Sequence, residues 1–476
     1  MPFSRRRIIR DCLAALDASD SYASWQTCAE DLDRLLELDS WRADDDSPHY
    51  DVQLIRRHIA EMRRLRDDND PLALASLIQE SLYRHQNDLA EPELYETAWG
   101  GTKHLVTRYL SEAAQSIQWL ATVVHPEVST ALRQGTFTRA AHVYGRSALM
   151  LSGGATLGFH HLGVVKALFE ADLLPDILSG ASMGAMIAAG TCSRTDKELS
   201  DLFANPGEIA LSGLEWLKPR AAMRDRHLLD PEQLKRTIIH NCGDWTFGEA
   251  HARSGRTIAI SVSPTRRRQK PRVLCHLTTP MVTLASAALA SSMVPGLFPA
   301  VALEQRNPGE STRPYAEHER WIDGSLRGDL PMFRVGRLHN VNHFIVSQTN
   351  PHVLPFVGNG QQRGFAGWAG HLMARAAHRQ GVNVVSMARE IGHRTPLAPA
   401  LDVAEALAAQ RYRGDIDIFP PVDLRDYRKV VANPTRADLE KFIATGERGT
   451  WPKLGMIRDQ TLIGRTLQNA LATLTP

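Results

Sequence analysis

Cysteine is scarce in this chain and badly placed for chemistry. The five residues Cys12, Cys28, Cys192, Cys242 and Cys275 are scattered, odd in number and never spaced as C-x-x-C. That points to a reducing compartment and to no zinc site. Charge of one sign is also missing. The 55 Lys and Arg face 53 Asp and Glu, a net +2, which argues against a dedicated nucleic-acid binder. The basic opening Ser4–Arg10 has no apolar run after it and is interrupted by Asp11, Asp17 and Asp20, so no signal peptide is expected. The longest small-apolar stretch, Ala285 to Ala302, is broken by Ser286, Ser291, Ser292, Pro295 and Pro299, and does not read as a membrane span. No internal repeat appears. What remains is ordinary for a globular cytoplasmic protein: 476 residues, 43% hydrophobic and 23% charged, enough for one to three domains and a large core.

Against that plain background, Gly180-Ala181-Ser182-Met183-Gly184 stands out. It follows the apolar Ile177-Leu178 and precedes the small-residue run Ala185–Ala189, which predicts a strand, a sharp turn and a helix. A serine hydroxyl is a poor nucleophile until geometry and a base activate it. A tight turn lifts its oxygen clear of the backbone, and glycines at 180 and 184 remove the Cβ atoms that would crowd the bend. Alone the pattern is weak, because a chain of this length matches G-x-S-x-G by chance on the order of 0.1 times. A second strand-to-helix turn lies upstream. The run Ser147–Leu151 meets Ser152-Gly153-Gly154-Ala155-Thr156-Leu157-Gly158, and helical spacing follows from Phe159 to Leu174. Such a turn presents backbone N–H groups to a phosphate or to an oxyanion. The phosphate reading needs Lys and Ser/Thr after the glycines, or a full G-x-G-x-x-G, and neither is present. Gly153 and Ser182 are 29 residues apart, which fits one βαβ unit and sets both turns side by side at the strand ends. Nucleophile plus oxyanion hole is the better joint reading. The base it requires is offered by Asp323, in Trp321-Ile322-Asp323-Gly324-Ser325.

These three segments resemble the patatin-like lipid acyl hydrolases. The resemblance implies a Ser–Asp dyad of Ser182 and Asp323, an oxyanion hole at Gly153, Gly154 and Ala155, a nucleophile turn framed by Gly180 and Gly184, and no metal or cofactor. Further segments are similar to the triacylglycerol lipase subfamily of fungal lipid droplets and plant oil bodies, with this chain as a bacterial member. They include Ser47-Pro48-His49-Tyr50-Asp51, Gly243-Asp244-Trp245-Thr246-Phe247, Pro295-Gly296-Leu297-Phe298 and Gly446–Lys453. The resemblance covers roughly residues 40 to 465. It implies a three-layer α/β/α core with a helical N-terminal domain over residues 1–140, a catalytic domain over 145–350 and a mixed C-terminal extension over 351–476. The extension has a Gly-rich connector near Gly358–Gly360 and a strand at Ile416–Phe419 that partly completes the core. Helices are predicted at Ile55–Leu65, Leu72–Tyr83 and Thr102–Val124.

The implied activity is hydrolysis of acyl esters of tri- or diacylglycerol or phospholipid through an acyl-enzyme, at a membrane or lipid-droplet surface visited peripherally. A lysophospholipid acyltransferase using the same serine, or a non-catalytic lipid-surface protein, are the alternatives. Ala155 and Leu157 depart from many patatins, which carry a third glycine and a basic residue there. Loss of the basic residue leans toward a neutral head group. Met183, Met186, Leu297 and Phe298 read equally as an acyl channel or as ordinary core. The basic run Arg266-Arg267-Arg268-Gln269-Lys270 reads as a solvated loop or as a contact with anionic lipid. Of the 19 histidines, His160, His161, His343 and His352 lie near the motifs, and nothing requires one as a base. The string His318–Asp323 fits the H-x4-D pattern of glycerolipid acyltransferases, a match expected about once by chance in this composition.

Overall fold

A computed structural model describes residues 3–81, 89–266, 269–307, 309–351, 413–421 and 426–474. His352, the connector near Gly358–Gly360, and Arg267 and Arg268 of the basic run lie outside the described residues. The chain divides into two compact units, one of residues 1–147, 340–343 and 450–476, the other of residues 148–339 and 344–449. The segment from 351 onward is therefore shared between them, with its last helix in the first unit.

The first unit is helical. Its described helices include Tyr22–Leu35, Val52–Asp67, Pro71–Ser81, His104–Thr122, Thr130–Tyr144 and Leu454–Leu474. Asp51 caps the helix Val52–Asp67 by accepting from the N–H groups of Gln53 and Leu54. That helix buries Ile55, Ile59, Met62 and Leu65, one apolar stripe at helical spacing. Glu112, 3% exposed, accepts from Arg63 at 2.6 Å and pairs with Arg66, so a charge buried in this bundle is matched twice. His343 is fully buried here. Its Nδ1 lies 2.9 Å from Ser147 Oγ and its Nε2 lies 2.7 Å from Gln460 Oε1.

The second unit is built on a sheet. Its strands are β1 (Arg146–Leu151), β2 (Ile177–Gly180), β3 (Thr257–Pro264), β4 (Arg272–Leu274), β7 (Trp321–Asp323), β8 (Val341–Ser347) and β9 (Ile416–Ile418), while β5 (Glu304–Gln305) and β6 (Arg313–Pro314) form a separate ribbon. The order is β4-β3-β2-β1-β8-β9, with β7 also on β3. Strands β1, β2 and β3 run parallel, and every residue of β2 and β3 is buried. Parallel strands buried on both faces require helices on both faces, which is the expected three-layer α/β/α arrangement.

Register decides where the proposed chemistry meets. Leu151 of β1 sits opposite Gly180 of β2, so the two turns leave the sheet side by side. On β3, residue Val262 pairs with Arg272 of β4 and also with Asp323 of β7, and these partners must occupy opposite edges. The β2 register on β3 stops at Ile260. Strand β7 therefore takes up the edge just beyond the end of β2 and brings Asp323 into line with Ser182. The helix after the first turn differs from expectation. A 3-10 turn, Ala155–Phe159, precedes it, and it runs His160–Glu170, ended by Asp172 in the left-handed region at φ +55°.

Candidate active site

Ser182 stands where β2 gives way to the helix Met183–Cys192, at φ +53° and ψ −125°. A non-glycine residue at positive φ costs on the order of 1–3 kcal/mol and persists only where its surroundings hold it. The surroundings are tight. A Cβ on Gly180 would lie 2.3 Å from the carbonyl carbon of Gly184, and one on Gly184 would lie 2.3 Å from the Leu151 carbonyl oxygen. Both contacts are with backbone, which cannot swing aside, so glycine is obligatory at each position. The Ser182 N–H donates to Ser291 Oγ at 2.9 Å, and Ser291 Oγ donates in turn to the Ser261 carbonyl at 2.7 Å.

Asp323 is 1% exposed. Its Oδ1 accepts from the N–H and the hydroxyl of Ser325, each at 2.7 Å, which fixes the carboxylate plane. Its Oδ2 accepts no hydrogen bond. The Ser182 hydroxyl is nevertheless among the groups that lower the Asp323 pKa, so it lies beside the carboxyl without closing a bond of ordinary geometry. Catalytic hydrogen bonds commonly tighten only once substrate is in place. Burial outweighs the Ser325 and Ser182 contributions and pushes the Asp323 pKa up to about 6. A carboxylate so raised is a better base than an exposed one and is still ionised near neutrality.

The glycine-rich turn closes the group. A Cβ on Gly153 would fall 3.4 Å from Ser182 Cβ and 3.0 Å from Ser325 Cβ, so this backbone passes directly against Ser182 and the loop after Asp323. The expected donor role is narrowed at one position: the Gly153 N–H donates to Asp329 Oδ1 at 2.7 Å and is not free for an oxyanion. The Gly153 carbonyl accepts from Ser152 Oγ at 2.8 Å and Thr349 Oγ1 at 3.2 Å. Because a trans peptide is planar, anchoring that carbonyl turns the Gly154 N–H to the opposite side. Among the described residues no hydrogen bond is made by the N–H of Gly154 or Ala155. Ala155 sits at φ +47°, where a glycine would be unstrained. Leu157 is buried, 5% exposed, within the 3-10 turn.

Residues 149–334 match the model of the patatin-like phospholipase family, and residues 3–141 match a domain of unknown function, DUF3336. Triacylglycerol lipase ptl3 of Schizosaccharomyces pombe is 30% identical over 94% of this chain and 94% of its own length. The chain belongs to the patatin-like phospholipase family. Triacylglycerol lipase SDP1L of Arabidopsis thaliana is 31% identical over 95% of this chain and 57% of its own. A patatin-like phospholipase domain-containing protein of Cryptococcus neoformans is likewise 31% identical over 95% of this chain and 53% of its own. The chain thus spans about half the length of several curated relatives it matches. The relatives named here are eukaryotic, so they give no support to a bacterial origin.

In this patatin-like chain an apolar cavity of about 590 Å³ opens beside Ser182. Ala155 and Ser182 border it, and so do Met183, Met186, Leu297 and Phe298, which the sequence left divided between channel and core. Phe298 belongs to both, being 6% exposed. Asp323 stands behind Ser182 and does not border the cavity. Among the described residues no histidine hydrogen-bonds to Ser182 or Asp323. His161 is fully buried, with Nδ1 2.7 Å from Ser347 Oγ and Nε2 3.0 Å from the Ser152 carbonyl, and burial drops its pKa to about 4. It braces the glycine-rich turn. His160 is 1% exposed with neither ring nitrogen hydrogen-bonded, and burial lowers its pKa to about 3.

Sequence reasoning missed the groups that hold the turn. Asp329, 1% exposed, accepts from Gly153 and from Asn350 Nδ2, and Thr349 packs where a Cβ on Gly154 would lie 2.2 Å from its Oγ1. Burial, with the nearby Asp323 adding to it against the opposing Gly153 N–H and Asn350, keeps the Asp329 pKa well above the usual carboxylate range. The one sequence signal was that Asp329 follows Asp323 by six positions, with Gly328 before it and Pro331 after.

Proposed function

We propose that this chain is a serine hydrolase that cleaves acyl esters of glycerolipids, tri- or diacylglycerol or phospholipid, through the dyad Ser182–Asp323. The observation that carries this reading is a strained serine bordering a large apolar cavity with a buried, pKa-raised aspartate behind it. Asp323 takes the Ser182 proton as Oγ attacks the ester carbonyl. The oxyanion is met by the N–H groups of Gly154 and Ala155, with Gly153 held back by Asp329 as a frame. Each such donor typically accounts for about 3 kcal/mol of transition-state stabilisation. Collapse of the tetrahedral adduct breaks the ester C–O bond, and protonated Asp323 returns its proton to the departing alkoxide. Asp323 then deprotonates water for attack on the acyl-enzyme, and the fatty acid leaves with Ser182 restored.

The names of relatives in fission yeast and Arabidopsis favour triacylglycerol as the glyceride, and Leu157 in place of a basic residue agrees with a neutral head group. We further propose that the enzyme belongs to a bacterial branch of that subfamily and meets lipid from the cytoplasm as a peripheral protein. Among the described residues no helix is long and apolar enough to cross a membrane, which fits peripheral contact. The test is fatty-acid release from emulsified trioleoylglycerol and from phosphatidylcholine. Release from the glyceride at least as fast as from the phospholipid, absent in Ser182→Ala, is expected. A strong phospholipid preference, or efficient acylation of lysophospholipid from acyl-CoA, would overturn the substrate assignment. Hydrolysis that survived in Ser182→Ala would overturn the mechanism.

A further inference from the structure

The second unit carries an apolar and basic projection that the proposed chemistry does not use. Between Leu214 and Leu229, both of which border the cavity, the chain leaves the body and returns. Leu217 N–H donates to the Leu228 carbonyl at 2.9 Å and Asp230 N–H to the Glu215 carbonyl at 2.9 Å, so the excursion is closed like a hairpin. Its base is tied to the cavity wall, because Leu228 and Leu229 N–H both donate to the Leu297 carbonyl, at 3.0 and 2.9 Å. At the tip is a short helix, Pro219–Asp225, with no buried residue.

The exposed side chains here are unusual for a protein surface facing only water. Met223 is 84% exposed, Trp216 58% and Leu228 41%. Single exposed apolar residues need no explanation, but three within thirteen positions on one closed excursion do. Lys218, Arg220, Arg224 and Arg226 are exposed among them, against Glu215 and Asp225. Asp225 is taken up by Arg224 at 2.7 Å, while Lys218, Arg220 and Arg226 form no ion pair among the described residues. Tryptophan and methionine interleaved with unpaired basic side chains suit the boundary between anionic head groups and acyl chains, where an indole sits well and each basic residue is attracted electrostatically.

We propose that residues 215–228 form the surface by which this protein docks on an anionic phospholipid surface. This rests on the lipid-hydrolase reading and adds to it the place of contact. Docking there sets the lipid against the wall formed by Leu214, Leu229 and Leu297, so an acyl chain leaving the lipid layer enters the cavity that holds Ser182. The projection is fastened by four backbone hydrogen bonds to its own base and to Leu297, so the surface is built before lipid arrives.

The experiment is co-sedimentation of the full chain, in a Ser182→Ala background that spares the lipid, with vesicles of phosphatidylcholine alone or mixed with phosphatidylglycerol. The pair Trp216→Ser/Met223→Ser and the triple Lys218→Gln/Arg220→Gln/Arg226→Gln should each bind mixed vesicles at least about tenfold more weakly. Only the triple should also lose the weakening of binding by salt. All these residues are outside the cavity wall, so with Ser182 restored the variants should turn over a soluble short-chain ester like the unaltered chain. Indole fluorescence attributable to Trp216, by difference from Trp216→Phe, should shift to shorter wavelength on mixed vesicles. Unchanged vesicle binding by the variants, equal binding to both vesicle types, or an equal loss of soluble-ester turnover would overturn the proposal. Vesicle binding without any ester hydrolysis by the unaltered chain would instead remove the hydrolase reading and leave the docking surface standing.

Discussion

The two strand-to-helix turns that meet at Ser182 are held in opposite ways. Around Ser182 the constraint is backbone on backbone and mostly local: Gly180 is pressed by Gly184, four positions on, and Gly184 by the Leu151 carbonyl. Around Gly153 the constraint comes from side chains delivered by distant strands and loops. Asp329, 176 residues away, takes the N–H, and Thr349, 196 residues away, takes the carbonyl. The first turn is a shape that its own sequence enforces. The second is a shape imposed on it, adjustable by changing residues that never touch the serine. A nucleophile must be strained to be presented, whereas oxyanion donors need only be aimed, and a hydrogen-bonded clamp does that at Gly153 and Gly154, with positive-φ strain in this turn confined to Ala155.

The largest effect that can break this account is chemical. Ser182→Ala and Asp323→Asn should each remove essentially all ester hydrolysis while leaving a folded protein, and no single histidine replacement should do so. His161→Asn is the sharpest control, since His161 braces the glycine-rich turn without reaching the dyad. If it were as inactive as Asp323→Asn while still folded, a histidine-dependent triad would replace the dyad.

Next comes the clamp. Asp329→Ala frees the Gly153 N–H and should lower kcat by roughly 10–100-fold with little change in KM, as misaimed oxyanion donors do. Asp329→Asn keeps an acceptor for Gly153 and, with the Asn350 amide turned to offer Oδ1 to the new NH2, should stay within about threefold of the unaltered enzyme. Equal losses of kcat in both variants would show that charge at 329, not aim, is what matters.

A smaller effect is on stability. Burial raises the Asp323 pKa to about 6, above the ordinary unfolded value of 3.8, so the folded state loses stability as pH climbs through that range. Asp323→Asn removes that cost. Near pH 8 the variant should be more stable than the parent by about 3 kcal/mol, with the difference vanishing below pH 4. The hydrolysis rate of the parent should fall over the same window as pH is lowered, because the base must be ionised. A variant less stable at high pH, by thermal unfolding, would contradict the burial argument.

The smallest effect concerns strain at Ala155, φ +47°. Ala155→Gly should leave kcat intact and raise stability by no more than about 1 kcal/mol, since relief of positive φ is offset by unfolded-chain entropy. A large drop in kcat would mean that the methyl group, and not only the N–H, serves the site.

The contrast between the turns also explains what could be read from the sequence. The strand–turn–helix at Ser182 and the aspartate closing β7 were legible, because each depends on local pattern or on motif spacing, whereas Met183, Met186, Leu297 and Phe298 could not be divided between lining and core until the cavity was seen. The helices of the first unit were legible to within a few residues, as Val52–Asp67 and His104–Thr122 show against Ile55–Leu65 and Thr102–Val124. The Asp329 clamp was not. It depends on β3, β7 and β8 bringing side chains of widely separated segments to one point, and an acid six positions after Asp323, between Gly328 and Leu330-Pro331, does not show which N–H it will hold. Nor was the 3-10 turn at Ala155–Phe159 foreseen, because helical periodicity cannot separate a 3-10 entry from the helix it leads into.

The central claim, that Ser182 is the nucleophile and is activated in this turn, is tested most directly by covalent trapping. The full chain would be treated with a fluorophosphonate probe, digested, and the modified peptide sequenced by mass spectrometry. The account predicts one adduct, on Ser182, absent from Ser182→Ala and sharply slowed in Asp323→Asn. An adduct on any other serine of the folded protein, or undiminished labelling of Ser182→Ala, would contradict it.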